Sequence, residues 1–245
     1  MSGHSKWATI KRKKAKTDSK RSSIFTKLAK EITVAAKLGG GNLESNARLR
    51  LAVQNARKNS VPKDAIERAI NKGAGSDSAN LTEIVYDGYG PGGIAIVVEC
   101  TTDNLNRSAA NIRSYFNKVG GNFGSSVRFM FSQKGVFIIQ DNNFDSESFI
   151  FELLDAGAED AELNDGFYTV ICPFEQYGQM IAFFEAHKIE PESTTLEWIP
   201  ANHTGTDIEN ATKVMKLIDL LEDDDDVQHV YHNLELTDEL LEKIS

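Results

Sequence analysis

Apolar positions recur at helical spacing in three short stretches near the start of the chain. Ile24, Leu28, Ile32, Ala35 and Ala36 share one face, with Ser22 or Ser23 placed to cap the helix and the glycines at 39–41 to end it. Leu49, Ala52, Val53 and Ala56 form a second stripe behind a capping Asn46. Ala65, Ile66, Ala69 and Ile70 form a third, opened by Pro62 and stopped at Gly73. Helices this short need one another for stability, which predicts a small bundle. After a Gly/Ser/Asn-rich linker at 73–80 the pattern changes. A strand runs from Ile94 to Cys100, then a helix capped by Asp103 runs from Asn104 to Lys118. Val127, Phe129 and Phe131 alternate as a half-buried strand should.

Next comes a run whose elements close on themselves. The pattern predicts a strand at 136–139, a helix at 147–154, strands at 158–163 and 167–172 around an Asn164-Asp165-Gly166 turn, a helix at 174–187 and a strand at 193–199. That order is β-α-β-β-α-β, the ferredoxin-like pattern. A helix at 208–221 and a strand at 227–231 then lack local partners, as does the earlier strand-helix-strand of 94–131. Each supplies what the other lacks if the self-contained run is inserted between them. The expected fold is α+β: a three-helix bundle plus two α/β, ferredoxin-like domains, the last inserted in the middle one. The expected boundaries are 1–75 for the basic tail and helical domain, 80–131 plus 203–245 for the discontinuous domain, and 132–202 for the insert.

Charge adds a direction to this plan. Residues 1–72 hold 18 of the 27 Lys and Arg against five acids, a net +13, while the rest of the chain is −22. Such a segment draws polyanions over about 8 Å at physiological salt. Nucleic acid is the expected partner. Its candidate contacts are Lys6, Lys11, Arg12, Lys13, Lys14, Lys16, Lys20, Arg21, Lys27, Lys30, Arg48, Arg50, Arg57 and Lys63. Trp7 is placed to stack on a base or to anchor the tail. No run of 18 apolar residues predicts a membrane span, and the charged start carries no apolar stretch of a secretory signal, so a cytoplasmic location is expected.

Residue chemistry narrows the classes further. Tyr86-Asp-Gly-Tyr-Gly-Pro-Gly-Gly93 reads as a tight loop whose bare amides could approach a phosphate or simply turn the chain. No Gly-Lys-Ser/Thr follows it. Arg107 stands in the first turn of a helix, against the macrodipole, which suggests a ligand or partner. Tyr89, Gly90, Pro91, Gly92, Gly93, Asn104 and Arg107 are therefore grouped as a candidate loop site. Asp223 to Asp226 reads as a turn solvated by its charge, in preference to a magnesium site. Cys100 and Cys172 end apolar runs and read as buried thiols. The five histidines share no catalytic or ligand spacing with a Cys or Ser. No metal, cofactor, small-molecule substrate or catalytic group is expected.

Gly-His-Ser-Lys-Trp at 3–7, Phe25-Thr-Lys27, Glu31-Ile-Thr-Val-Ala-Ala36, Asn46-Ala-Arg-Leu-Arg-Leu51 and Pro62-Lys-Asp64 resemble the YebC/PmpR family. So do the Tyr-Gly-Pro-Gly-Gly loop, Thr-Asp-Asn-x-Asn-Arg at 102–107 and Gly124-Ser-Ser-Val127. The resemblance runs in order along the whole chain. It implies three domains, the middle one discontinuous, and a regulator without enzymatic activity. The family is labelled a probable transcriptional regulator with DNA binding by some members. It also includes a mitochondrial translational activator of cytochrome oxidase and members linked to ribosomes stalled on proline-rich stretches. The expected function is a nucleic-acid-binding regulator of gene expression that acts through RNA, rRNA or the ribosome to support translation. Regulation at promoter DNA is the alternative. An α/β enzyme or metabolite sensor built on the glycine loop is a third, different class.

Overall fold

The structure, a computed structural model, describes residues 21–75, 80–237 and 240. The helical region consists of α1 (Arg21–Gly39), α2 (Ala47–Lys58) and α3 (Lys63–Ala74). Their apolar stripes meet in one core of Ile32, Ala35, Ala36, Leu49, Ala52, Val53, Ala56, Val61, Ile66 and Ala69. Asn46 joins two helix ends at once. Its Oδ1 accepts from Leu49 N at 3.0 Å, and its Nδ2 donates to the Ala35 and Gly40 carbonyls at 2.8 Å each. Orphan groups at the start of α2 and the end of α1 are thereby satisfied by one side chain. Ser22 and Ser23 lie within α1, which already includes Arg21. Gly73 also lies within its helix and is buried, so it is not the expected stop.

β1 (Thr82–Tyr89) and β2 (Ala95–Thr102) pair antiparallel, followed by α4 (Leu105–Val119) and the short β3 (Asn122–Phe123). Far along the chain, α7 (Ile208–Glu222) and β8 (Val227–His232) complete this sheet, in the order β3-β1-β2-β8. β8 pairs with β2, as the incomplete halves required. β2 is the centre of the core, with Ala95, Ile96, Val97 and Val98 all fully buried. The continuous apolar run of Ile94 to Val98 suits a strand buried on both faces.

Between β3 and α7 lie β4 (Phe131–Gln140), α5 (Ser146–Asp155), β5 (Asp160–Asn164), β6 (Phe167–Pro173), α6 (Tyr177–Ala186) and β7 (Ser193–Pro200). Their strands form a separate antiparallel sheet in the order β5-β6-β4-β7, the ferredoxin order. Phe137, Ile139, Tyr168, Val170 and Cys172 meet Phe149, Leu153, Met180 and Phe184 from the two helices in its core. The chain falls into two compact units. Among the described residues one is formed by Phe129–His203, the other by the chain from Arg21 to Arg128 together with the part from Thr204 onward.

Local expectations fail at three places for physical reasons. Tyr86 to Tyr89 belong to β1, so the glycine loop shrinks to 90–93. A side chain at Gly88 would meet the Asn122 carbonyl at 2.5 Å, so this glycine admits β3 alongside β1. Residues 127–130 are not a strand. Val127 N donates to Asp87 Oδ2 at 3.0 Å, Arg128–Met130 makes one 3-10 turn, and Phe129 is 79% exposed. Asn104, and not Asp103, caps α4, accepting from Arg107 N at 3.1 Å.

Candidate nucleic-acid interface

Three of the basic side chains on the helical region prove to be engaged with other parts of the fold. Lys27 Nζ donates to the Glu222 carbonyl at 2.5 Å, at the end of α7. Burial pushes its pKa down despite the neighbouring Glu222 and Asp225, Asp224 and Asp223. Lys30 Nζ donates to the Thr101 and Asp225 carbonyls at 3.1 and 2.8 Å and to Asp226 Oδ1 at 2.6 Å. Arg48 grips Glu83 with both terminal nitrogens, one of them at 3.2 Å. Glu31 lies close by, and burial pushes its carboxyl up while Arg48 opposes that and Glu83 adds to it. Three of the expected nucleic-acid contacts, Lys27, Lys30 and Arg48, thus join α1 and α2 to the sheet region of the same unit.

The remaining cations divide by helix. On α3, Lys63 sits 3.7 Å from Glu67, and Arg68 sits 2.9 Å from Asp64, so its outer surface alternates in sign. On α2, Arg50, Gln54 and Arg57 are exposed at i, i+4 and i+7 and form one stripe beside the buried Leu49, Ala52, Val53 and Ala56. Arg50 Nη1 donates to the Leu43 and Glu44 carbonyls, both at 3.3 Å. Neutral acceptors orient the guanidinium without cancelling its charge. Arg57 makes no ion pair among the described residues. Lys6, Trp7, Lys11, Arg12, Lys13, Lys14, Lys16, Lys20 and the Arg21 side chain lie outside the described residues.

The candidate loop site does not come together. Tyr89 pairs with Ala95 at one end of the β1–β2 ladder and Thr82 with Thr102 at the other, about 23 Å away at strand rise. The loop 90–93 sits at the first end, while Asn104 and Arg107 stand beyond the second. Gly92 has φ +70°, and a side chain there would meet Thr206 Oγ1 at 2.1 Å, so the loop is pressed against the start of α7. Asp207 already caps that helix, accepting from Asn210 N at 2.9 Å. A carboxylate therefore fills the place where a phosphate would bind.

Arg107 has a different employment. Its Nη2 donates to Asp226 Oδ2 at 2.7 Å and to Asp103 Oδ1 at 2.8 Å. Asp226 is buried and also accepts from Thr102 Oγ1 at 3.0 Å and from Lys30. Burial alone would raise its pKa, but hydrogen bonds from Lys30, Arg107 and Thr102 outweigh it and hold the carboxyl below the usual range. Asp224 Oδ2 accepts from Tyr115 Oη at 3.0 Å and from Asn111 Nδ2 at 3.2 Å. Tyr115 is pushed up to about 12 by burial and by that carboxylate. Asp224 and Asp226 therefore turn the run into a junction between α1, β2, α4 and β8, while Asp223 and Asp225 stay exposed. Among the described residues no group of three or more His, Cys, Asp or Glu could hold a metal ion. Cys100 and Cys172 are free and buried, and burial pushes their thiols up to about 12 and about 11. No helix among the described residues is long and apolar enough to cross a membrane.

Comparison with known proteins places this architecture. Residues 5–76 match the TACO1/YebC protein N-terminal domain, and residues 81–234 match the TACO1/YebC second and third domain, a family carrying a transcriptional-regulator label. A crystal structure of a conserved hypothetical protein from Aquifex aeolicus is similar at 38% identity and a TM-score of 0.85, covering 93% of this chain and 95% of that one. With both domain matches spanning nearly its whole length, the chain belongs to the TACO1/YebC family.

Proposed function

We propose that the protein is a nucleic-acid-binding regulator of gene expression that acts on RNA or the ribosome in support of translation. The observation that carries this reading is the Arg50–Gln54–Arg57 stripe, an exposed cationic line left over after Lys27, Lys30 and Arg48 are consumed. The charge of residues 1–21, eight Lys and Arg against one acid, adds to it in sequence.

Promoter DNA is the second reading, favoured by the label of the family matched at 81–234. α2 and α3 are 12 residues each, and a tight turn with Ser60 at φ +60° joins them. In helix-turn-helix proteins the second helix reads the major groove. Here the second helix offers Asp64 and Glu67, each paired with a cation of the same helix, and one exposed Lys72 in its last turn, while the first presents both Arg50 and Arg57. This arrangement suits a phosphate backbone better than base edges.

Arg50→Gln with Arg57→Gln should lower the log-log salt slope of RNA binding by about 1.4–1.8, since each lost phosphate contact removes about 0.7–0.9. Fluorescence anisotropy over a salt series measures it, and an unchanged slope would rule the stripe out. The same series on duplex DNA separates the two readings: a steeper slope and tighter binding there would favour the promoter.

A further inference from the structure

The helical region is joined to the sheet region of its own unit by cations. Among the described residues the bundle core, with the apolar side chains packed on it, lies wholly between Phe25 and Ile70. The bundle thus closes on itself, and the chain passes from it to the sheet region once, between α3 and β1. Lys27 and Lys30, neighbours on one face of α1, reach the end of α7 and the turn before β8. Arg48 of α2 reaches Glu83 of β1, and both side chains of that pair are 46% exposed. Salt and competing anions therefore have access to it.

Two features work against this docking. Lys27 Nζ exchanges water for the Glu222 carbonyl at 2.5 Å, and that loss of water pushes its pKa down in spite of the carboxylates near it. Glu31 of α1 is brought beside Glu83 of β1, like charge to like charge, with one Arg48 to serve both. Release would also strand no charge. Asp226 keeps Thr102 Oγ1 at 3.0 Å and Arg107 Nη2 at 2.7 Å, both from the sheet region. Lys27, Lys30 and Arg48 would pass to water, so the buried unpaired ion that makes breaking such pairs expensive does not arise.

Arg48 stands about 200° around α2 from Arg50, so it and the Arg50–Arg57 stripe face nearly opposite ways. A flexible polyphosphate chain can reach both sides of a helix about 10–12 Å across. The guanidinium fork that holds a carboxylate fits a phosphate equally well. We propose that the bundle is held on the sheet region by a releasable ionic latch, formed by Lys27, Lys30 and Arg48, and that the phosphates of a bound RNA take over these cations and open it. The opening by RNA rests on the function proposed above; the latch itself does not.

Spin labels on Asn71→Cys in α3 and Ser114→Cys in α4, two exposed positions, report the distance from bundle to sheet region by double electron–electron resonance. Cys100 and Cys172 are buried and stay unlabelled. At about 50 mM salt one narrow distance is expected, with the open form at about a tenth or less. At about 1 M salt, where screening acts within about 3 Å, a component longer by about 10 Å or more, one helix diameter, should dominate. Lys30→Gln with Arg48→Gln should show that component already at low salt, with helicity by circular dichroism equal to the parent's. An unchanged distance in high salt overturns the latch, whether or not the double variant folds. A folded double variant that keeps the docked distance overturns it as well. Adding a uridylate homopolymer at low salt should bring the parent to the open distance. Binding seen by fluorescence anisotropy without that shift leaves the latch standing and overturns its opening by RNA. No binding at all would instead count against the proposed function.

Discussion

Asp226 is one carboxyl through which the protein should respond to acid. In the unfolded chain its carboxyl takes up a proton near the ordinary value of about 3.9, while in the folded state the pKa is held lower. Its contribution is therefore present above roughly pH 4 and is lost as pH falls through the folded value. Asp226→Asn should cost on the order of 2–4 kcal/mol at neutral pH, because Lys30 is left without its ionised partner in a half-buried place. Urea melts between neutral and acid pH should show a shallower acid limb in the variant than in the parent. An equal acid limb in both would mean that other carboxylates set it. Arg107→Ala should lower stability as well, which reverses what the helix dipole alone suggests. The oddity of Arg107 was legible in sequence, as a cation in the wrong turn of a helix. Its explanation was not, because the partner lies 119 residues away. Nor do four identical neighbours announce which one is buried. Only tertiary placement distinguishes Asp226, 5% exposed, from the aspartates before it.

At the scale of elements, Gly73 decides how closely two helices pass. A side chain there would lie 2.2 Å from the Thr33 carbonyl oxygen and 2.8 Å from Ala36 Cβ. Thr33 Oγ1 spans the same crossing, donating to the Ala69 carbonyl at 3.2 Å. Gly73→Ala would gain about 1 kcal/mol of helix propensity, yet overpacking a rigid crossing costs about 1–3 kcal/mol or more. The expected outcome is net destabilisation, read as a lower urea midpoint at an unchanged slope. A stabilised variant would show that the crossing yields. Helical stripes and the ferredoxin order were legible because period and turn residues are local signals. The role of Gly73 was not, since a glycine near a helix end reads alike as a stop or as a contact. The end of β1 reads as loop in the sequence for a similar reason: Asp87 and Gly88 look like turn residues. Their actual tasks, receiving Val127 N and admitting β3, involve distant chain.

For the whole molecule, the two units invite separation. Residues 129–203 expressed alone should melt cooperatively, as their strand ladder and core close within that stretch. A molten product would place the boundary elsewhere. The basic character of residues 1–72 was legible from the sequence alone, but charge could not tell cations that face outward from Lys27, Lys30 and Arg48, which face other parts of the fold. The pairing of β2 with β8 also has a consequence for synthesis. Lys30 must wait 196 residues for Asp226, about 10–40 s at common rates of elongation. During that wait β2, with its apolar run from Ala95 to Val98, has one edge satisfied by β1 and the other open. The later stretch 129–203, holding all its own strand partners, can close first. The nascent chain can thus close the sheet of 129–203 before the sheet that flanks it in sequence, and the open edge of β2 is where a holding chaperone would be expected to bind.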